Sequence, residues 1–195
     1  ASTSAQKLIS IDKVDVLFAV CGAEALAVAP ISNQNKITTI ALWATNPQLS
    51  GISKYVFRNS YSDDDSGRIL AEAVNAKYKT AAIITGLAGY PVGLRDGFKK
   101  YYTGKIYTED YQPGTTDFKT IVTKTLANSP EVVFVNANAQ IEAVAILKQL
   151  ELLRYKGAIL MNFFGSIEEV QKMSYAKGIM YPFDQNVSDN SHREK

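Results

Sequence analysis

The side chains in this sequence that could do chemistry are few. The single cysteine, Cys21, follows an apolar run and precedes a helix-like stretch, a position where a thiolate could be stabilised. Its simpler interpretation is a small buried residue. The nearest acid is Glu24, and the single histidine, His192, lies in a polar C-terminal segment. A histidine-containing triad in the folded body is therefore excluded, and a Cys21-dependent hydrolase is left as an alternative without a plausible base.

Two further motifs have a structural interpretation that outweighs the chemical one. The glycine-rich stretch 86–93 has neither the spacing of a dinucleotide-binding loop nor the Lys-Ser/Thr pair of a phosphate loop, so it predicts a tight strand-to-helix turn. The acidic run Asp63-Asp-Asp65 could bind a metal ion, but acids are also typical of the first turn of a helix. We therefore predict no cofactor and no metal site.

Composition limits the remaining classes of function. The chain has 195 residues, 21 basic against 19 acidic residues and a net charge of +2, and it shows no cluster of basic residues. Nucleic-acid binding is therefore not expected. One cysteine excludes an internal disulfide, and no apolar run is long enough to cross a bilayer. A hydrophobic fraction of 46% predicts a globular chain of one large or two small domains.

Strand-like and helix-like stretches alternate along the chain. Apolar runs rich in β-branched residues predict strands at 14–20, 37–42, 55–58, 80–85, 105–111, 131–135, 157–161 and 178–183. Helices are predicted at 23–33, 62–78, 89–102, 139–153 and 167–173, with another after Thr115 or Thr116 as its cap. This order predicts an α/β fold, a three-layer parallel sheet with helices on both faces.

The strands divide unevenly along the sequence. Residues 1–60 contain only two firm parallel strands, residues 61–183 contain four or five, and 184–195 form a polar tail. The first block therefore resembles part of a sheet whose other strands are missing. An incomplete sheet would leave 14–20 or 37–42 as an open edge, and open edges pair with other chains. We therefore predict a homodimer.

The chemistry of the expected site follows from sheet geometry. In open α/β sheets, ligands bind beyond the carboxyl ends of the strands. That rule selects five turns, which are 20–24, 43–46, 86–90, 136–140 and 162–166. Their side chains are mostly apolar, aromatic or amide, and they supply no acid–base pair. The turns therefore predict a surface that binds a small molecule without catalysis.

An ordered set of short motifs gives a family resemblance. The set comprises Lys13-Val-Asp-Val-Leu, Ala25-Leu-Ala-Val-Ala-Pro30, Ala44-Thr-Asn-Pro47, Tyr55-Val-Phe-Arg58, Ser62-Asp with Gly67-Arg68, Pro113-Gly-Thr-Thr-Asp-Phe118 and Val133-Phe-Val135. It resembles the substrate-binding proteins of branched-chain amino-acid ABC transporters, which have a type I periplasmic binding fold. The resemblance extends to about Asp184.

The resemblance implies a function and a compartment. It implies two α/β lobes that close on a small solute, with this chain a fragment whose first lobe is incomplete and whose 57–61 and 182–186 segments cross between lobes. It implies an extracytoplasmic, periplasmic or lipoprotein-anchored protein that passes its solute to a transporter permease. A ligand-sensing receptor ectodomain of the same fold is the alternative.

The resemblance also implies the site residues. Ala44 and Thr45 match positions that contact the ligand's main-chain atoms, and Tyr90 matches an aromatic residue of the second lobe. Cys21, Gly22 and Ala23 stand where the family has a serine-bearing loop. Asn138 stands where the family has a tyrosine. The family's acidic residue, which binds the ligand's ammonium group, is replaced here by uncharged Asn162 or Phe163. The expected ligand is a small organic solute, either an amino acid or, because a buried ammonium without a counter-charge is costly, in preference an aromatic or aliphatic carboxylic acid or an amide.

Overall fold

Two compact units make up the computed structural model, which describes residues 1–182. The first unit is Ala1–Ser66 and the second begins at Gly67. Each unit has a parallel β-sheet joined by helices, which confirms the predicted α/β class. The predicted polar tail and most of the predicted 182–186 crossover lie outside the described residues. No helix in the described part of the chain combines the length and apolar character needed to cross a membrane.

The first unit has three parallel strands in the order β1-β2-β3. Its elements are α1 (Ser2–Ser10), β1 (Val16–Val20), α2 (Gly22–Asn35), β2 (Thr38–Leu42), a 3-10 turn (Pro47–Leu49) and β3 (Val56–Arg58). β2 lies between the other two strands, so the prediction that 37–42 forms an open edge is wrong. The edge of β1 remains without a neighbouring strand in the described part of the sheet.

Within residues 1–182, helices cover only one face of this first sheet. Leu17, Ala19 and Ala41 point to one side, are buried, and belong to clusters that include residues of α2. On the other side of the sheet, β1 and β3 leave large apolar side chains exposed, namely Val16 at 42%, Phe18 at 68%, Val20 at 47% and Phe57 at 54%. Parallel sheets are usually buried on both faces, so this face is an unusual apolar surface.

The second unit has the complete three-layer arrangement. Its parallel strands follow the order β5-β4-β6-β7. The elements are α3 (Asp63–Asn75, which begins in the first unit), β4 (Thr80–Gly86), α4 (Gly89–Tyr101), β5 (Lys105–Tyr111), α5 (Lys119–Ala127), β6 (Val132–Asn136), α6 (Gln140–Leu152), β7 (Ala158–Met161) and α7 (Glu168–Gln171).

Two apolar clusters hold this second unit together, one on each face of the sheet. On one face, Phe134 packs with Phe98 of α4 and Leu70 of α3. On the other, Val135 lies in a cluster with Val122 of α5 and with residues of α6. β4 and β6 are the central strands and are covered on both faces. Every residue of β6, and every residue of β4 after Thr80, is therefore buried, as their apolar runs predict.

Two local predictions are wrong. The expected strand at 178–183 is reduced, within the described residues, to one parallel bridge between Met180 and Leu160, and Gly178 at its predicted start has a positive φ of 85°. Helix α5 is not capped by Thr115 or Thr116. Instead the Lys119 amide donates to the Asp117 carboxylate at 2.9 Å.

Helices α3 and α4 approach each other so closely that only glycine fits at one position. A Cβ atom on Gly67 would lie 2.4 Å from the backbone nitrogen of Phe98 and 2.8 Å from the Cα of Gly97. Backbone atoms cannot rotate away as a flexible side chain can. Any larger residue at position 67 therefore forces the two helices apart.

We expect Gly67→Ala to destabilise the second unit by about 1–3 kcal/mol, because the added methyl group overpacks the junction of α3 and α4. Urea denaturation followed by circular dichroism measures this change. Gly89→Ala is the matched control, since nothing lies within 4 Å of the Cβ atom that alanine would add there, and alanine favours the helix. Equal stability of the two variants would contradict the close contact.

Candidate ligand-binding site

The turns that follow β1 and β2 lie side by side in the first unit. Val20 and Leu42 are register partners at the ends of their strands, and the Cys21 amide donates to the Leu42 carbonyl at 2.9 Å. A Cβ atom on Gly22 would lie 3.0 Å from the Cβ of Asn46. The structure therefore brings together the turns 20–24 and 43–46, as the sheet rule predicts.

Cys21 and Trp43 both have a positive φ in these two turns. Their φ angles are 68° and 48°, and both residues are exposed, Trp43 at 78%. The interpretation of Cys21 as a buried small residue is therefore wrong, since Cys21 is exposed at the position before α2 begins at Gly22. A positive φ is costly for a residue with a side chain and is concentrated at functional sites. Ala23 is exposed in the first turn of α2, whose backbone amides can hold an anion.

Ala44 and Thr45 differ in accessibility. Ala44 is fully buried, whereas Thr45 is half-buried. The Thr45 carbonyl accepts a hydrogen bond from the Asp63 amide at 2.9 Å, and its side chain is hydrogen-bonded to the Asp63 carboxyl group. Of these two predicted site residues, Thr45 is the one with surface to offer a ligand.

Asp63 is a strongly perturbed acid of the first unit. It is only 2% exposed, and burial raises the pKa of its carboxyl group to about 6, against the lowering effects of the Thr45 hydrogen bond and the positive charge of Arg58. The Arg58 guanidinium donates to the Asn46 carbonyl and to the Ser50 hydroxyl, each at 3.1 Å. The Asp63 Oδ1 atom has no hydrogen-bond partner. A buried carboxyl group with one free oxygen is costly to ionise.

In the second unit, buried amide side chains join the turns that follow β6 and β7. The Asn162 amide nitrogen donates to the Asn136 side chain at 3.2 Å and to the Ala137 carbonyl at 2.6 Å, and its oxygen accepts from the Phe164 amide at 3.2 Å. Asn136 in turn donates to the Pro91 carbonyl of α4 at 2.6 Å. Asn162 is fully buried, so it positions these turns rather than presenting a polar group at the surface.

Tyr90, Asn138 and Phe163 line the same carboxyl edge. The Tyr90 hydroxyl accepts from the Phe163 amide at 3.3 Å, and the Phe163 side chain is 55% exposed. A Cβ atom on Gly86 would lie 2.9 Å from the Cβ of half-buried Asn138. The turns that follow β4, β6 and β7 therefore converge on one edge of the second sheet.

This edge can bind a molecule but offers little for catalysis. The turns 86–90, 136–140 and 162–166 contain no acidic, basic or histidine side chain. They present a phenol, an amide, aromatic rings and backbone N–H groups. Within residues 1–182, no three His, Cys, Asp or Glu side chains gather closely enough to hold a metal ion, and Asp63, Asp64 and Asp65 form the first turn of α3. The chemistry available here is reversible hydrogen bonding and apolar contact.

The sequence did not predict which residues hold these turns in place. Asp63, Asn136 and Glu142 are buried polar residues within or next to the turns, and each binds backbone or side-chain groups of another segment. The available signal was the position of Asn136 directly at a strand end and of Glu142 in the first turn of a helix. Their partners lie far away in sequence, so the contacts themselves had no local signature.

Asp63 makes the stability of the first unit depend on pH. Its native pKa of about 6 exceeds the ordinary 3.8, so the native state holds this proton more tightly than the unfolded chain. The resulting stabilisation is present below pH 4 and is lost as the pH rises through 6. We expect the free energy of unfolding of the wild type, relative to Asp63→Asn, to fall by about 2–3 kcal/mol between pH 4 and pH 7.

Urea titrations of both proteins at several pH values measure this difference. The matched control is Asp65→Asn, because Asp65 lies in the same first turn of α3 but is exposed. The free energy of unfolding of the wild type relative to Asp65→Asn should show no comparable fall between pH 4 and pH 7. If the difference in unfolding free energy between the wild type and Asp63→Asn does not change with pH, ionisation of Asp63 does not destabilise the protein.

Comparisons with known proteins agree with this geometry. A family model described as "Periplasmic binding protein" matches residues 1–190. The Leu/Ile/Val-binding protein homolog 3 of Brucella melitensis is 30% identical over 117 residues, which are 56% of this chain and 32% of that protein.

Solved structures show the same fold. A leucine-binding protein from Thermotoga maritima has a TM-score of 0.70 and 25% identity, covering 83% of this chain and 48% of its own. A solute-binding protein of an ABC transporter from Rhodopseudomonas palustris, in complex with 3,4-dihydroxybenzoic acid, has a TM-score of 0.69 and 25% identity, covering 83% of this chain and 47% of its own.

The chain thus spans about half the length of these solved structures and about a third of the curated relative. The family inferred from the motif set is confirmed, as is the type I periplasmic binding fold. Because the family model matches nearly the whole sequence, this chain belongs to the periplasmic binding protein family.

Proposed function

We propose that this chain is the ligand-binding part of an extracytoplasmic solute-binding protein that delivers a small organic solute to the permease of an ABC transporter. The observation that carries the proposal is the convergence, in the second unit, of three turns that offer hydrogen-bonding and aromatic groups but no titratable pair. The family is one of binding proteins, which agrees with the prediction that this chain is not an enzyme.

The exposed Cys21 does not support the alternative of a hydrolase. A thiol nucleophile needs a base that removes its proton, and no histidine occurs among residues 1–182. Glu24, the nearest acid in sequence, is exposed in the first turn of α2. Reversible binding therefore accounts for this edge of the first sheet better than nucleophilic attack.

The proposed ligand is an aromatic or aliphatic carboxylic acid or an amide. Amino-acid ligands carry an ammonium group, and its burial requires a counter-charge. The three turns of the second unit supply none, since Asn162 and Phe163 occupy the positions implied for an acid. The two solved relatives differ in ligand: one is named a leucine-binding protein, and the other is in complex with an aromatic acid.

Thermal shift measurements test this ligand class. We expect 3,4-dihydroxybenzoate or 4-hydroxybenzoate to raise the melting temperature of the chain, with a smaller effect of leucine and isoleucine, because a ligand that binds only the native state stabilises it by mass action. Tyr90→Ala should weaken binding of the responsive acid about tenfold or more, and Tyr107→Ala on β5 is the matched control. Lack of response to both classes of probe would contradict the proposal.

We also propose that two copies of the chain associate through β1. The strand has a free edge in the described part of its sheet, and its exposed side chains Val16, Phe18 and Val20 form an apolar surface. Both features favour pairing with another chain.

Light scattering tests this association. We expect the wild-type chain to be larger than a monomer at micromolar concentration and Phe18→Lys to shift it toward the monomer, since a charge cannot be buried in an apolar contact without cost. Ile141→Lys is the matched control, because Ile141 is 76% exposed but lies on α6. A wild-type protein that is monodisperse and monomeric would contradict the proposal.

A further inference from the structure

Glu142 is a buried carboxylate that binds three separate segments of the second unit. The residue is 2% exposed. Its Oε2 atom accepts hydrogen bonds from the Tyr111 hydroxyl at 2.9 Å and from the Asn138 and Ala139 amides at 3.1 Å each. Its Oε1 atom accepts from the Gly114 amide at 2.7 Å. One side chain thus joins the end of β5, the turn that follows it and the turn between β6 and α6.

Four hydrogen-bond donors and a helix N-terminus surround the buried Glu142 side chain. Glu142 lies in the first turn of α6, where the helix dipole favours a negative charge. Burial together with the Glu142 carboxylate raises the pKa of the Tyr111 phenol, so that hydroxyl keeps its proton and remains a donor. A carboxylate accepts at both oxygens, whereas an amide of the same size accepts at only one. The network therefore requires Glu at position 142.

The network reaches the candidate site through the 136–140 turn. Asn138 is a predicted ligand contact, and its own backbone amide is one of the four donors. The phenol of Tyr111 also approaches Gly86, since a Cβ atom there would lie 3.1 Å from the Tyr111 hydroxyl oxygen and 2.9 Å from the Cβ of Asn138. The Glu142 carboxylate thus fixes the backbone that carries Asn138 next to the turn that follows β4.

We propose that Glu142 is a positioning residue of the ligand site, which holds the Asn138 turn against the turn that follows β5 through four hydrogen bonds to its carboxylate. This inference rests on the proposed function, because it assigns Asn138 to the ligand-binding edge. Glu142 itself is 2% exposed, so it offers almost no surface to a ligand. Its effect on affinity comes from the order that it imposes on Asn138 before binding.

The test compares Glu142→Gln with the wild type by amide hydrogen exchange and by ligand affinity. Whichever way the new side-chain amide is oriented, its NH₂ group faces at least one of the four donors. We expect the Gly114, Asn138 and Ala139 amides to exchange about tenfold faster or more, with the amides of β4 and β6 unchanged. The affinity for the responsive aromatic acid should fall about tenfold.

Two further variants keep the test decisive. Glu151→Gln, at an exposed position on the same helix, should change neither measurement. Should Glu142→Gln fail to fold, Tyr111→Phe removes one donor and should produce smaller changes in the same three amides. Unchanged exchange at these amides, or faster exchange with unchanged affinity, would overturn the proposal. If no probe binds the wild type, the proposed function fails, and hydrogen exchange alone decides whether Glu142 holds the two turns.

Discussion

Parallel pairing of the strands is the constraint on which the other features of this molecule depend. Neighbouring parallel strands end at the same edge of a sheet, so the turns that follow them are brought together whatever their sequences. In the second unit, β4 pairs with β5 on one side and β6 on the other, and β7 extends the order. The turns 86–90, 136–140 and 162–166 meet for this reason, and the same rule places the turns after β1 and β2 together.

Because several turns crowd together at one edge, their backbone N–H and C=O groups need hydrogen-bond partners. Turns that lie over a buried sheet have amides and carbonyls that water reaches poorly, so side chains must bind them. Asn162 does so for the turns after β6 and β7, and Glu142 does so for the turns after β5 and β6. The turn after β2 is held by a backbone hydrogen bond, which the Asp63 amide donates to the Thr45 carbonyl. The buried polar residues therefore act on the backbone, while the surface that faces outward is left neutral and aromatic. Such a surface discriminates ligands by shape and hydrogen bonding more than by charge.

Much of the fold could be predicted from the sequence because its apolar runs are long and distinct. The strand from Val132 to Asn136 is buried at every residue, and a run of β-branched and aromatic residues is typical of that environment. The strand expected at 178–183 was wrong within the described residues, where Met180 forms a single bridge and the backbone of Gly178 is left-handed. Periodicity and composition report average burial, and they carry no information on one residue's φ angle.

The candidate site was harder to predict, because the residues that shape it act over long distances in sequence. Tyr111 and Glu142 are separated by 31 positions, and Asn136 and Pro91 by 45. The turns themselves could be selected from strand order, but the division of their residues into surface groups and buried supports could not. Ala44 and Asn162, both assigned to the ligand by resemblance, are fully buried, whereas Cys21 is exposed. Accessibility depends on how turns from different strands pack, which a single local motif does not encode.

The two sheets support their turns by different means, and this difference has a consequence for binding. β4 and β6 are covered by helices on both faces, so the turns that follow them are anchored by a complete apolar core and by the Glu142 carboxylate, which has four donors. The turn after β2 is held instead by Asp63, whose Oδ1 atom has no partner and whose pKa is raised to about 6. Ionisation of Asp63 places an incompletely satisfied charge next to Thr45. The conformation of the turn at Thr45 therefore depends on whether Asp63 is protonated near neutral pH. The conformation of the turn at Asn138 depends instead on the apolar core and on Glu142.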